Sequence, residues 1–258
     1  MPTLLTLALQ AERPDIAPHE HANGLRALLL GWLREADAAL ASALHDADQP
    51  KPYSIGPLLH RGDARYECRI GLLDDRLLAV LSAGVRQRGA ALRLGGDYLR
   101  LLADGVRIEQ QRWETLLHQD APPALGWHLF LDTPTAHHQT GMAVRKALVS
   151  PLPDTYIAGW ARRWQQFSPL PLPDTLLPLV AERLTVSSLR GETRRVFLDR
   201  GRVFIGYIGE VTFHLCAPRA EYPAERQALT ALARLAPYCG TGVDTARGMG
   251  QTRYLLGD

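Results

Sequence analysis

At 258 residues and 46% hydrophobic side chains, the chain is long enough for one large or two ordinary domains and can bury a core. Its formal charge is only +2, but the cations are uneven: Lys51 and Lys146 are the only lysines and the other 27 basic residues are arginines, which fits either an anionic partner or a GC-rich genome. Cys68, Cys216 and Cys239 make no C-x-x-C pair and no even framework, so a disulfide scaffold and a structural zinc site are both disfavoured, and all three read as buried thiols in a reducing cytosol. No apolar run approaches the roughly 18 residues of a membrane span and no charged leader opens the chain, so a cytoplasmic protein without membrane contact is expected.

Thr3 to Gln10 reads as a buried strand closed off by Pro14 and Pro18. Leu25, Leu28, Leu29, Trp32, Leu33, Ala36 and Leu40 recur at three and four residues, which predicts one long helix with His45 in its last turn. After an acidic, proline-containing loop come extended segments at Tyr53 to Leu59 and Tyr66 to Leu73. A helix is expected from Asp74-Asp75 to Gly89, and short strand-like pieces at Leu92 to Leu94, Tyr98 to Leu102 and Val106 to Gln110. Asp120-Ala121-Pro122-Pro123 is the linker candidate, because paired prolines stop regular structure. Beyond it, Trp127 to Leu131 reads as a strand, and Pro153 to Phe167 and Asp174 to Leu184 as helices. Arg194 to Leu198 and Val203 to Leu215 form a hairpin turned at Asp199-Arg200-Gly201. A helix at Ala224 to Ala236 and a strand from Gln251 to Leu256 finish the chain. The β-α-β-β-α-β order thus occurs twice, predicting an α+β protein of two ferredoxin-like units with antiparallel sheets, residues 1–121 and 124–258.

Between the last helix and last strand stand two Gly-X-Gly pairs, Gly240-Thr241-Gly242 and Gly248-Met249-Gly250, around an insert containing Arg247. Glycines permit positive φ and bare amides, which suits a phosphate chain, although such loops are often only permissive turns. A dinucleotide fingerprint does not fit, since that motif follows a strand and opens a helix. The pattern Ala233-X-X-Ala236-X-Tyr238-X-Gly240-X-Gly242-X(5)-Gly248-Met249-Gly250 resembles the glycine-rich signature of the CRISPR repeat-processing endoribonucleases, members of the repeat-associated mysterious protein superfamily. Pro52-Tyr53-Ser54-Ile55-X-Pro57-Leu58, Thr133-Pro134-Thr135-Ala136, Trp160-X-X-Arg163-Trp164 and Gly206-X-X-Gly209 agree with it in order, so the resemblance spans most of the chain. It implies a tandem ferredoxin-like fold that binds precursor CRISPR RNA and cuts within each repeat without a metal or cofactor. An interference effector complex is a further candidate partner, and a monomer and a homodimer are both left open.

Cutting RNA without a metal needs the neighbouring 2′-hydroxyl as nucleophile, a base for its proton, an acid for the leaving 5′-oxygen and a cation for the developing charge. His45 and Lys51 have those side-chain types, and in similar proteins a histidine ending the first helix and a lysine six residues later are catalytic, the spacing found here. A helix C-terminus also favours a cationic imidazole. The bland alternative is a helix-ending histidine and a solvated loop lysine. Some relatives carry a tyrosine on the first helix where this chain reads Leu29-Leu30-Gly31-Trp32, so the third catalytic group is open; Tyr53 is the substitute, unless it is a packed strand residue.

Gly240, Gly242, Arg247, Gly248 and Gly250 are the expected RNA-holding loop, and Arg194, Arg195 and Arg202 the expected basic hairpin that enters a stem-loop's groove. Arg145, Lys146, Arg162, Arg163 and the pair His137-His138 are lesser RNA-contact candidates. His19-x-His21 and His137-His138 lack a recognisable third ligand, so no metal site is expected. The rival readings are a non-catalytic subunit that holds guide RNA and a tandem ferredoxin-like sensor of a small ligand.

Overall fold

The computed structural model describes residues 1–16, 22–47, 50–89, 91–118, 124–138, 147–198 and 201–255. Strand β1 (Thr3–Ala11) alternates so that Leu5, Leu7, Leu9 and Ala11 enter the first core. The single helix predicted to run to His45 is two helices, α1 (Ala22–Ala36) and α2 (Ala38–Asp46). The break is at Asp37, which takes an extended φ of −153° and accepts the Leu40 amide on Oδ1 at 2.9 Å. An aspartate that can satisfy an orphan amide starts a helix better than it continues one.

Next come β2 (Tyr53–Ile55), β3 (Leu59–His60), β4 (Arg65–Leu72) and α3 (Asp75–Arg88). As the sequence predicts, Asp74 caps α3 and Gly89 ends it with φ 81°. After β5 (Ala91–Leu94), the two short pieces predicted near 98–110 form one strand, β6 (Asp97–Gln110). Its register against β1 jumps from Leu7 opposite Val106 to Leu9 opposite Leu101, a bulge that interrupts the sequence alternation.

The short α4 (Trp113–Leu117), not anticipated from the sequence, precedes β7 (Gly126–Thr135), β8 (His137–His138) and β9 (Ala147–Leu148). Then follow α5 (Pro153–Phe167), α6 (Leu176–Arg183), β10 (Leu184–Phe197), β11 (Val203–Leu215), α7 (Pro223–Cys239) and β12 (Thr252–Leu255). Strand β10 begins ten residues earlier than the sequence suggested. Residues 187–195 are exposed on both faces of that ribbon, so no burial alternation marks them as a strand.

The first sheet has the order β2-β4-β1-β6-β5 with β3 beside β4, and the second the order β10-β11-β7-β12, with antiparallel pairing throughout both. Leaving out the accessory β3 and β5, each sheet runs second, third, first, fourth strand, the order of a ferredoxin-like βαββαβ unit. The fold is therefore α+β and tandem ferredoxin-like. The expected linker at 120–123 lies outside the described residues.

The two cores interlock. Leu73, Trp113 and Leu116 pack with the second core, around Trp160, Trp164 and Leu232, while Ala246 from the C-terminal loop packs with the first. At the seam Ser54 Oγ donates to the Tyr238 carbonyl at 2.9 Å, and a Cβ on Gly71 would lie 1.8 Å from that same oxygen. Only a residue without a side chain lets the end of α7 come this close to β4. Cys68 and Cys239 are buried, their thiols pushed up by desolvation to about 12 and about 11; Cys216, expected to be buried, is exposed just after β11.

Candidate functional site

His45 stands in the last turn of α2, and its side chain is 60% exposed. Nδ1 lies 2.8 Å from Asp46 Oδ1, so the carboxylate accepts the Nδ1 proton and Nε2 remains for a partner outside the protein. Asp46 was not singled out in the sequence, because an acidic residue after a histidine has no distinctive spacing. Lys51 does not extend into solvent as a loop cation. Only 7% of it is exposed, and Nζ donates to the carbonyls of Leu44 at 2.8 Å, His45 at 3.1 Å and Ala47. Histidine and lysine are thus brought together through the backbone of the helix end. Tyr53 is 1% exposed on β2, opposite Leu72, and its hydroxyl accepts from Arg26 Nε at 3.3 Å. Its ring is part of the first core.

The segment after Lys51 connects this site to the glycine loop. Ser54 reaches Tyr238, and the Ile55 carbonyl accepts the Gly248 amide at 2.9 Å. Gly240, Gly242, Gly248 and Gly250 all have positive φ, 69°, 82°, 84° and 66°. A single 3-10 turn (Thr245–Arg247) carries the insert between the two pairs. The expectation of bare amides needs correction here. The Gly240 amide donates to Ala236, Thr241 to Gly250, Val243 to Ala136, Arg247 to Asp244, Gly248 to Ile55, Gly250 to Pro134, and Gln251 to the Thr133 hydroxyl. These bonds turn the amides inward to tie β7, β2 and α7 together, instead of outward into an anion nest.

Asp244 collects two cations of the expected RNA surface. Its carboxylate accepts from Arg247 Nη1 at 3.0 Å and from Arg202 at the turn end of the β10–β11 hairpin. The closed end of the hairpin is packed on the loop through Val196, Leu198, Phe204, Ala136 and Met249. Beside it along β10, Arg194 pairs with Glu192 at 2.6 Å and the Arg195 guanidinium lies 5.2 Å from the centre of the Phe197 ring, all exposed.

Arg163 and His137 are not surface groups. Arg163 is buried, donating to the carbonyls of Gly159 at 3.1 Å and Gly242 at 3.2 Å, and burial pushes its guanidinium down. It is a cationic strut under the glycine loop, a role visible only once α5 and the loop are juxtaposed. His137 packs on the Tyr156 ring, 4.9 Å between centroids, and burial beside Arg163 holds it well below the usual range, at about 4. It is therefore neutral near pH 7 and faces the core. Arg145, Lys146, His19 and His21 lie outside the described residues. Among the described residues, no three His, Cys, Asp or Glu side chains gather into a metal-holding group, and no helix is long and apolar enough to cross a membrane.

The family model described as CRISPR-associated endoribonuclease Cas6 matches residues 129–252, which contain β7, the hairpin, α7 and the glycine loop. Among solved structures, the product complex of Cas6 (TTHB231), a Thermus thermophilus protein, is similar at a TM-score of 0.84 with 27% identity, covering 99% of each chain. A Cas6 (TTHA0078) product complex is similar at a TM-score of 0.79 with 26% identity, covering 99% of this chain and 100% of the other. A Cas6-related protein from Pyrococcus furiosus shares the fold at a TM-score of 0.69 with 10% identity, over the whole of both chains. No curated protein matches in sequence.

Proposed function

We propose that this chain, a CRISPR repeat-processing endoribonuclease by the family match of its C-terminal half and the fold of its whole length, binds repeat RNA and cuts precursor transcripts by internal 2′-hydroxyl attack. In that reaction the 2′-oxygen bonds to the adjacent phosphorus and the bond to the 5′-oxygen breaks. One proton leaves the 2′-hydroxyl, another reaches the departing 5′-oxygen, and the products carry a 2′,3′-cyclic phosphate and a 5′-hydroxyl. No metal is needed for this balance.

The observation that carries the reading is His45, exposed at a helix end with Nδ1 engaged by Asp46, which leaves Nε2 for one of the two proton transfers. The N-terminal unit (1–121) supplies this group. The C-terminal unit (124–258) holds RNA through the hairpin arginines and through a loop in which Gly240, Gly242, Gly248 and Gly250 set the position of Arg247. Tyr53 acts from within the core by holding Arg26, and not at the phosphate.

Labelled repeat RNA incubated with purified protein in EDTA tests the mechanism. Cleavage persists, the upstream product carries a cyclic phosphate, and a single 2′-deoxy substitution at the cut site abolishes it. Loss of cutting in EDTA, or cutting of the deoxy substrate, sinks the mechanism; tight binding without any product favours an RNA-holding subunit. For the hairpin, Arg194→Ala and Arg195→Ala each weaken binding, and each lowers the slope of log affinity against log salt by about 1 if it meets a phosphate. Unchanged slopes in both variants would remove the hairpin from the interface.

A further inference from the structure

We infer that Lys51 is a positioning residue that fixes the helix end carrying His45, and not the cation that meets the reacting phosphate. This rests on the reading of His45 as a proton-transfer group. An α-helix leaves its last carbonyls without intrahelical partners. Helix α2 has no glycine to close it: the residue after its last turn, Ala47, is extended, with φ −54° and ψ 144°. Of its nine residues only Ala41 and Leu44 are buried, so little tertiary packing holds it. The Lys51 ammonium supplies what the helix lacks. It donates to the carbonyls of Leu44, His45 and Ala47.

The lysine is itself held from the other side. Tyr53, Ser54 and Ile55 are buried in β2, and Ser54 and Ile55 are tied to the C-terminal loop region by the bonds to Tyr238 and Gly248. Lys51 therefore couples the position of His45 to the seam between the two units. The same geometry explains why a chain with 27 arginines keeps a lysine here. Three carbonyls converging on one point suit a compact, rotatable ammonium, whereas a guanidinium spreads its donors across a rigid plane. At a phosphate the preference would be absent or reversed, because arginine meets phosphate bidentately.

Lys51→Met and Lys51→Arg, made in the full chain, separate the two roles. The readouts are single-turnover cleavage of repeat RNA, RNA affinity across a salt series, and hydrogen exchange of the 38–47 segment. Both variants are expected to cleave about 10- to 100-fold more slowly, the scale set by a small misplacement of a reacting group. RNA affinity and its salt slope stay at the wild-type values, and exchange in the last turn of α2 accelerates. The inference is overturned if Lys51→Arg cleaves like wild type while Lys51→Met does not, if the salt slope of Lys51→Met drops by about 1, or if neither rate nor exchange changes. His45→Ala is run beside them. Wild-type cleavage by that variant removes the reading of the site and this inference with it; a dead His45→Ala beside a fully active Lys51→Met removes the inference alone.

Discussion

His45→Ala is expected to lower single-turnover cleavage of repeat RNA by about 10²- to 10⁴-fold, the range for removing a positioned acid or base. RNA affinity and thermal stability should stay near wild type. The reason for the separation is structural. The imidazole is mostly exposed, and its one described side-chain partner is the equally exposed Asp46, so alanine removes neither core packing nor a buried bond. Surface pairs of this kind contribute about 0–1 kcal/mol to stability. Asp46→Asn should then give a smaller rate loss, because an amide can still orient the ring. Kinetics under saturating protein, with a parallel binding titration and a melting curve, distinguish the possibilities. A His45→Ala protein that loses binding or stability along with rate would show a structural residue, and one that cuts normally would move the chemistry elsewhere.

The parts of the fold that could be read ahead share one property: their signal is local. Asp74 and Gly89 bracket α3 because capping depends on the residues at the helix ends. The apolar spacing from Leu25 to Leu33 marks α1 because a single face is buried. Where local signals conflicted, or a strand had no buried face, the reading was weaker. The bond from the Leu40 amide to the Asp37 carboxylate competes with helix continuation, and the apolar spacing across that point concealed the break. The middle of β10, residues 187–195, touches water on both faces, so a strand has no alternation there.

The site divides in the same way. His45 and Lys51 are legible as types at a spacing, but spacing does not say which way an ammonium turns, and the bonds to Leu44, His45 and Ala47 decide it. Arg163 looked like any surface arginine beside Arg162. Its carbonyl partner Gly242 is 79 residues away, a relation no local pattern contains. The glycine pairs were legible as a place where backbone adopts positive φ, while the destination of their amides depended on three other strands and helices.

Gly250→Ala is expected to be the most damaging conservative change to stability. Two costs add at this position. The residue sits at φ 66°, where a side chain costs about 1–3 kcal/mol. A Cβ there would also fall 1.9 Å from the Thr241 carbonyl oxygen, so backbone must shift, an overpacking cost of about 1–3 kcal/mol. The shift is not absorbed cheaply, because Gly250 both accepts the Thr241 amide at 2.8 Å and donates to Pro134 at 3.1 Å. Moving it disturbs the entry of β12, the end of β7 and the seat of Arg163 together. Gly96→Ala is the control, since nothing lies within 4 Å of a Cβ there and its φ is ordinary; its effect should stay within about 0.5 kcal/mol. Urea titrations of the two variants give the comparison. If Gly250→Ala unfolds at the wild-type midpoint but no longer binds repeat RNA, the loop meets RNA directly. If it unfolds early and the folded fraction binds and cuts normally, the loop's work is to hold the two units in register.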